Sequence, residues 1–291
     1  MKHLRDILFL SAVLLMLPLG SMRAENADEM LDYECVDTIA INSTHLQTTV
    51  KAVVIVPSQY FDAEMQEVQF PVLYLLHGFG DNYAKWTITD PELADMATEY
   101  GTIIVCPDGL KSWYIDSPML ADSQMESFFI NELIPCIDSR FRTLPERDMR
   151  AITGLSMGGH GALWLAFRHP AVFASAGSMS GGVDIVPFPG KWNLDNLLGK
   201  QDEHLDNWKA HSVINLVPSL SNGKLNIIFD CGYDDFFFEV NNRLHEALLQ
   251  QGIGHDFIVR PGNHSWKYWT NSIDYQMLFF AKCFERAAMA E

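Results

Sequence analysis

The 291-residue sequence has only five cysteines, and none lies in a C-x-x-C pair or in a spacing typical of zinc sites. The H-E-x-x-H motif of metalloproteases and the glycine-rich loops that bind nucleotide phosphates are also missing. We therefore expect no metal, no cofactor and no disulfide framework on which folding depends. The sequence also lacks proline- or serine-rich linkers and internal repeats, which predicts a single folded domain.

Positive charge is scarce as well. The sequence has 20 Lys and Arg against 37 Asp and Glu, a formal net charge of −17. Such an excess of negative charge disfavours nucleic acid and anionic lipid as partners. It leaves small-molecule esters and polysaccharide esters open as substrates. With 48% hydrophobic and 20% charged residues, the composition is that of a folded globular protein.

The longest apolar run covers residues 7–19, and it is too short to span a bilayer comfortably. Two basic residues precede it, and small residues ending at Ala24 follow it, which is the layout of a secretory signal peptide. We predict a signal peptide over residues 1–24, a catalytic domain over 25–291, and a secreted or periplasmic protein without a stable membrane anchor. Residues 1–24 carry three basic side chains and one acidic one, so the mature chain would have a net charge of about −19.

Apolar runs rich in β-branched residues alternate with longer helical patterns along the chain. The predicted strands cover residues 36–41, 49–56, 70–76, 102–106, 149–153, 173–178, 225–230 and 256–260. The predicted helices cover residues 91–100, 124–138, 158–168, 238–251 and 266–286. From the third strand onward strand and helix alternate, which indicates a mostly parallel sheet with helices on both faces. In such sheets the chemistry lies at the carboxyl ends of the strands.

The motif G-x-S-x-G occurs at residues 154–158, with Ser156 at its centre. A predicted strand precedes it and a predicted helix follows it, which is the context in which this motif presents a serine nucleophile on a tight turn. The N-terminus of the helix would favour a developing negative charge. The N–H group of Met157, the residue after the serine, is the first expected donor of an oxyanion hole.

A serine nucleophile needs a histidine base and an orienting acid, which follow it in the order acid, then histidine. His264 lies in the loop at the carboxyl end of the last predicted strand, whereas the other histidines after Ser156 lie in helices, before that strand or in a polar connection. We therefore predict His264 as the base. Three carboxylates, Asp230, Asp234 and Asp235, follow the preceding strand, and spacing alone does not choose among them.

The second oxyanion donor is expected in the loop after the third predicted strand. Gly78 and Gly80 there allow the backbone to turn an N–H group inward, with Phe79 as the predicted donor. Trp86 and Trp266 flank this loop and the predicted base, respectively, and we predict that both contact the substrate.

Several motifs together resemble the esterase D-like branch of the α/β-hydrolase superfamily, which includes carbohydrate esterase family one, tributyrin-type esterases and S-formylglutathione hydrolases. The matching segments are residues 75–81 with Trp86, 154–159, 232–236 and 262–266. The resemblance implies an α/β-hydrolase fold whose mostly parallel eight-stranded sheet has helices on both faces and no large cap domain. It also places the acid on Asp235, the base on His264 and an oxyanion donor on Phe79.

These observations predict an exported serine carboxylesterase that forms an acyl-enzyme on Ser156. The expected substrates are short-chain or aromatic acyl esters on plant polysaccharide, as for feruloyl and acetylxylan esterases. A general tributyrin-type carboxylesterase and an S-formylglutathione hydrolase-like thioesterase are the alternatives. A binding module on an inactive hydrolase scaffold is disfavoured, because such a module has no need of a complete serine, aspartate and histidine set.

Overall fold

The computed structural model describes residues 35–290, so the predicted signal peptide lies outside the described residues. Within these residues, eight strands form one sheet in the order β1-β2-β4-β3-β5-β6-β7-β8. The strands are β1 Val36–Ser43, β2 Thr48–Ile55, β3 Val72–Leu76, β4 Ile103–Pro107, β5 Arg150–Gly154, β6 Ser175–Met179, β7 Asn226–Gly232 and β8 Asp256–Arg260. Strand β2 is antiparallel to β1 and β4, and every other neighbouring pair is parallel. The predicted mostly parallel, eight-stranded sheet is confirmed.

The central strands are buried on both faces, which explains their continuous apolar sequence. All five residues of β3 are buried. Because successive side chains point to opposite faces of a strand, Tyr74 and Leu76 join one hydrophobic core, whereas Leu73 and Leu75 join a second. The sheet therefore separates two apolar layers, each of which needs a covering layer of helices.

Nine α-helices in the described residues supply this covering. They are α1 Lys85–Thr89, α2 Leu93–Glu99, α3 Met125–Phe128, α4 Ile134–Arg140, α5 Met157–Arg168, α6 Leu194–Leu198, α7 Leu205–Ala210, α8 Phe238–Gln250 and α9 Trp266–Ala288. Buried side chains of α3 to α8 belong to the first core, and those of α1, α2 and α9 belong to the second. Helices on both faces, as predicted, complete an α/β-hydrolase architecture.

Two details differ from the sequence-based expectation or refine it. The helix predicted over residues 124–138 is divided by a π-helical turn, Phe129–Leu133, between α3 and α4. The connection between β6 and β7 contains only the short helices α6 and α7 and a 3₁₀ turn, Val213–Ser219. The described residues thus contain no large cap domain, and the carboxyl ends of the strands are reached without crossing one.

Residues 35–290 contain no helix that is both long and apolar enough to cross a bilayer. Even α9, with 23 residues, carries charged side chains and packs along β6 and β7 as part of the second core.

Candidate active site

Ser156 occupies the turn between β5 and α5, at the carboxyl end of the sheet. Its backbone has φ 56° and ψ −115°, a conformation that glycine adopts easily and other residues only with strain. The turn is held by the Ser156 N–H, which donates to the Met179 carbonyl at 2.9 Å. Gly158 permits the close approach of α5 to β3, because a Cβ there would lie 2.5 Å from the Leu76 carbonyl oxygen. The serine is thereby fixed at the N-terminus of a helix, where the helix dipole favours negative charge.

His264 lies in the loop between β8 and α9 and connects Ser156 to Asp235. Its Nε2 is 2.8 Å from Ser156 Oγ, and its Nδ1 is 2.9 Å from Asp235 Oδ2 and 3.1 Å from Asp235 Oδ1. Because an ionised carboxylate can only accept a hydrogen bond, Asp235 selects the tautomer with the proton on Nδ1. The free lone pair on Nε2 can then accept the serine proton, which is the requirement for an activated hydroxyl nucleophile.

The three candidates for the catalytic acid, Asp230, Asp234 and Asp235, have different surroundings. Only Asp235 contacts His264; its side chain is fully buried, and its Oδ1 also accepts the Phe237 N–H at 2.8 Å. Asp234 is exposed, and only its backbone N–H is engaged, with the Gly262 carbonyl at 3.0 Å. The structure thus places Asp235, rather than its neighbour, beside the imidazole.

Asp230 is buried beneath the site in a separate network. It accepts hydrogen bonds from Ser272 at 2.6 Å and Gln276 at 2.7 Å, and it lies 3.3 Å from the Arg260 guanidinium. Burial raises the pKa of this carboxyl, although these hydrogen bonds and the charge of Arg260 act in the opposite direction. Asp230 therefore links β7, β8 and α9 and makes no contact with His264.

Two backbone N–H groups near Ser156 have no acceptor within the described residues. They belong to Met157, at the first position of α5, and to Phe79, in the loop after β3. The Phe79 loop is anchored by His77, whose Nδ1 bonds to the Gly78 carbonyl at 2.8 Å and whose Nε2 accepts the Gly109 N–H at 2.8 Å. Unpaired, anchored N–H groups of this kind can stabilise an oxyanion without rearrangement.

Three aromatic rings surround the His264 imidazole. Phe237 and Trp269 approach it edge to face, at centroid distances of 5.3 and 4.8 Å, and Phe236 lies 4.2 Å away. Phe236 is 51% exposed, and its outer side carries the Trp192 ring, stacked at 5.7 Å. We call Phe236 and Trp192 the aromatic shelf. Its formation depends on a contact between two distant loops, which the local sequence pattern did not reveal.

Of the two tryptophans predicted to contact the substrate, Trp86 is buried. It is only 1% exposed, and its Nε1–H donates to the Leu76 carbonyl at 3.1 Å, so neither its ring nor its polar atom is open to a ligand. The prediction for Trp86 is therefore wrong: this residue belongs to the second core. Trp266 packs edge to face on Trp86 at 4.9 Å and is partly exposed, with Lys85 over its ring. Its role in substrate contact stays a prediction.

The other histidines and potential metal ligands do not join this arrangement. His160 is completely buried on α5, where its Nδ1 bonds to the Gly182 carbonyl at 3.1 Å; burial lowers its pKa to about 4. His245 and His255 contact each other at 2.8 Å, and His255 lies just before β8, whereas His264 follows it. Within residues 35–290, no cluster of three or more His, Cys, Asp or Glu side chains could hold a metal ion.

The fold and the site define the class: an α/β-hydrolase-fold enzyme with a hydrogen-bonded serine, histidine and aspartate at the carboxyl edge of its sheet. The family model described as "Putative esterase" matches residues 43–280. The chain belongs to this esterase family and is a carboxylic ester hydrolase.

Relatives with described activities agree with this class. The chain is 26% identical over 250 residues to an acetyl esterase of Caldicellulosiruptor saccharolyticus, covering 78% of this chain and 90% of that one. It is 28% identical to an S-formylglutathione hydrolase of Rattus norvegicus, over 65% of this chain and 73% of that one. A solved ferulic acid esterase matches with a TM-score of 0.73 and 28% identity, covering 86% of this chain and 98% of that structure.

Proposed function

We propose that the protein is an exported serine carboxylesterase that removes acetyl or aromatic acyl groups, such as feruloyl groups, from plant polysaccharide. The observation that carries this proposal is the hydrogen-bonded series from Asp235 through His264 to Ser156, which lies beside the aromatic shelf. Similarity to an acetyl esterase and to a ferulic acid esterase supports the acyl groups named. The signal-like N-terminal sequence supports export.

In the proposed reaction, His264 Nε2 takes the proton of Ser156 as its oxygen attacks the ester carbonyl. The negative charge that develops on the carbonyl oxygen is stabilised by the N–H groups of Phe79 and Met157. The protonated imidazole, stabilised by the buried Asp235 carboxylate, then donates its proton to the departing alcohol and leaves an acyl group on Ser156. His264 then deprotonates a water molecule that attacks this acyl-enzyme; the ester bond to Ser156 breaks, the carboxylic acid is released, and the proton returns from His264 to Ser156.

The surroundings of the site suit such substrates. The described residues contain no large cap domain, and a site without one admits an ester attached to a polymer. The shelf places the exposed Phe236 ring and the half-buried Trp192 ring beside His264. Aromatic rings of this kind can pack against sugar rings and against a feruloyl ring. We propose that the shelf, together with Trp266, forms the aromatic part of the substrate site.

A panel of esters tests the proposal. We expect wild-type protein to hydrolyse p-nitrophenyl acetate, acetylated xylan and a feruloylated arabinoxylan oligosaccharide, and Ser156→Ala to lose all three activities. The panel also includes tributyrin and S-formylglutathione. If either of these is hydrolysed with a much higher kcat/KM than every carbohydrate ester, the corresponding alternative replaces the polysaccharide assignment, although the serine mechanism remains.

Export is tested separately. The protein is produced in a bacterial host with its full N-terminal sequence, and the N-terminus of the exported fraction is determined. A mature chain that begins at or near Glu25 is expected, and material that remains in the cytoplasm with Met1 intact would contradict export.

A further inference from the structure

A polar cleft of about 380 Å³ adjoins the loop after β3, which contains the proposed oxyanion donor Phe79. Phe79 forms one wall together with Lys111, and the opposite wall includes Lys191 and Asn193 from the loop before α6 and Asp195 from its first turn. The Lys111 ammonium lies 5.9 Å from the centre of the Phe79 ring. Because the cleft shares Phe79 with the proposed oxyanion hole, a molecule whose ester lies at Ser156 can extend a further group into it.

The opposite wall is held in place by the aromatic shelf. The Trp192 carbonyl accepts a hydrogen bond from Trp113 Nε1 at 3.0 Å, and the Trp192 ring packs on Phe236, which covers His264. Trp192 and Asn193 both have positive φ angles, 46° and 64°, so this loop has a defined and unusual backbone conformation. Lys191 therefore lies on a loop that packs against the aromatic ring covering His264.

Both lysines are exposed, and neither forms an ion pair with a carboxylate of the described residues. Among residues 35–290, Asp195 is the only carboxylate that lines the cleft, and its Oδ1 accepts the Gly190 N–H at 3.0 Å. The cleft thus has two positive charges and one negative charge, in a chain whose formal net charge is −17. This local reversal of sign would attract an anion to a surface that otherwise repels anions.

We propose that this cleft binds a carboxylate on the alcohol or thiol part of the substrate, with Lys111 and Lys191 as specificity-determining residues. The inference rests on the proposed function, since it assumes that the ester reacts at Ser156. Phe79 is the only apolar side chain that the described part of the chain contributes to the cleft, and the lysine, asparagine and aspartate side chains suit a hydroxylated leaving group better than an acyl chain. The two ammonium groups complement a carboxylate on such a leaving group, and Asp195 offsets only part of their attraction.

Two acetate esters that differ only in charge provide the first test. The probes are 3-acetoxybenzoate and 3-acetoxybenzamide, and the readout is the ratio of their kcat/KM values. We expect the double variant Lys111→Ala/Lys191→Ala to lower this ratio about two- to tenfold, which is the effect of two exposed charge pairs. The matched control, Lys209→Ala/Lys282→Ala, removes two exposed lysines on α7 and α9 and makes the same change in net charge. It should leave the ratio unchanged.

Ionic strength and natural-type substrates complete the experiment. Raising the salt concentration from about 0.05 to about 0.5 M should reduce the difference between the double variant and the control, because the charges are exposed. Acetylated xylo-oligosaccharides with and without a glucuronate branch, and S-acetylglutathione against S-acetyl-N-acetylcysteamine, distinguish a sugar carboxylate from a peptide carboxylate. For each pair, the kcat/KM of the charged probe is divided by that of the uncharged one. The source of the carboxylate is identified by the pair that has the larger ratio in the wild-type protein and loses this preference in the double variant.

Equal ratios in the double variant and the control, for all three pairs of probes, would overturn the inference. This outcome leaves the proposed function intact as long as Ser156→Ala abolishes hydrolysis of the neutral probes. If Ser156→Ala retains that hydrolysis, the proposed function fails instead, whatever the ratios are.

Discussion

The three aspartates after β7 should separate into three phenotypes when each is replaced by asparagine. In Asp235→Asn, the amide oxygen can still accept the Phe237 N–H, now 2.8 Å from Oδ1, so we expect the fold to survive. The amide NH₂ group, however, would face His264 Nδ1 in place of Oδ2, now 2.9 Å away. It would favour the tautomer with the proton on Nε2, which cannot accept the Ser156 proton.

The expected loss in kcat for Asp235→Asn is about ten-thousandfold, the size of the effect of this change in a serine protease. The change in unfolding free energy should stay below about 1 kcal/mol, because the amide can still bond to His264 in its other tautomer and no buried group is left unpaired. Asp234→Asn should change neither quantity, because the Asp234 side chain is exposed and has no contact with His264.

Asp230→Asn should show the opposite pattern from Asp235→Asn. Its new NH₂ group would face a buried donor of Ser272 or Gln276, and leaving such a donor unsatisfied costs about 1–3 kcal/mol of stability. Activity of the folded fraction should remain. The assays are steady-state hydrolysis of p-nitrophenyl acetate and urea unfolding followed by circular dichroism. The reasoning is refuted if Asp230→Asn or Asp234→Asn loses more kcat than Asp235→Asn while folded.

Three further predictions concern Ser156, His160 and Phe236. Ser156→Gly should be inactive but about 1 kcal/mol more stable than Ser156→Ala in urea unfolding, since glycine accepts φ 56° without strain; equal stabilities would contradict a strained turn. Unfolded histidine binds a proton below about pH 6.5, whereas buried His160 has a pKa of about 4. The free energy of unfolding should therefore fall by up to about 3 kcal/mol, on account of His160, as the pH decreases from 6.5 to 4. In His160→Gln the free energy of unfolding should depend less steeply on pH, and an unchanged dependence would exclude His160 as the cause. Phe236→Ala should raise KM for a feruloylated sugar about fivefold relative to p-nitrophenyl acetate, because it removes an aromatic contact. Phe61→Ala, which removes an equally exposed ring (51%), is its control and should not alter this preference.

The strands could be predicted because their signal is local. A strand buried on both faces, such as β3, must be apolar along its length, and turns bound it on either side. Each predicted strand therefore ends within two residues of the observed one. The π-helical turn between α3 and α4 left no comparable signal, because its sequence has the same apolar periodicity as the helices around it.

The position of Ser156 could also be predicted, because the turn, the strand and the helix that define it are consecutive in the chain. Spacing alone could not predict which of Asp230, Asp234 and Asp235 contacts His264, because this depends on how the loop after β7 lies against the loop after β8. The burial of Trp86 cannot be predicted from the sequence, because an aromatic residue that lines a site has the same sequence signature as one that packs beneath it. The contact between Phe236 and Trp192 joins loops separated by β7 and two helices, which no local pattern reveals.

The central claim is that Ser156 forms the covalent intermediate. Reaction with diisopropyl fluorophosphate, followed by trypsin digestion and mass spectrometry, tests it most directly. We expect one adduct per chain, on the peptide of residues 151–168, in which Ser156 is the only serine. Ser156→Ala should remain unlabelled, and His264→Ala should react far more slowly, because its serine has no base. An adduct on another peptide, or esterase activity above a tenth of wild type in Ser156→Ala, would contradict the account.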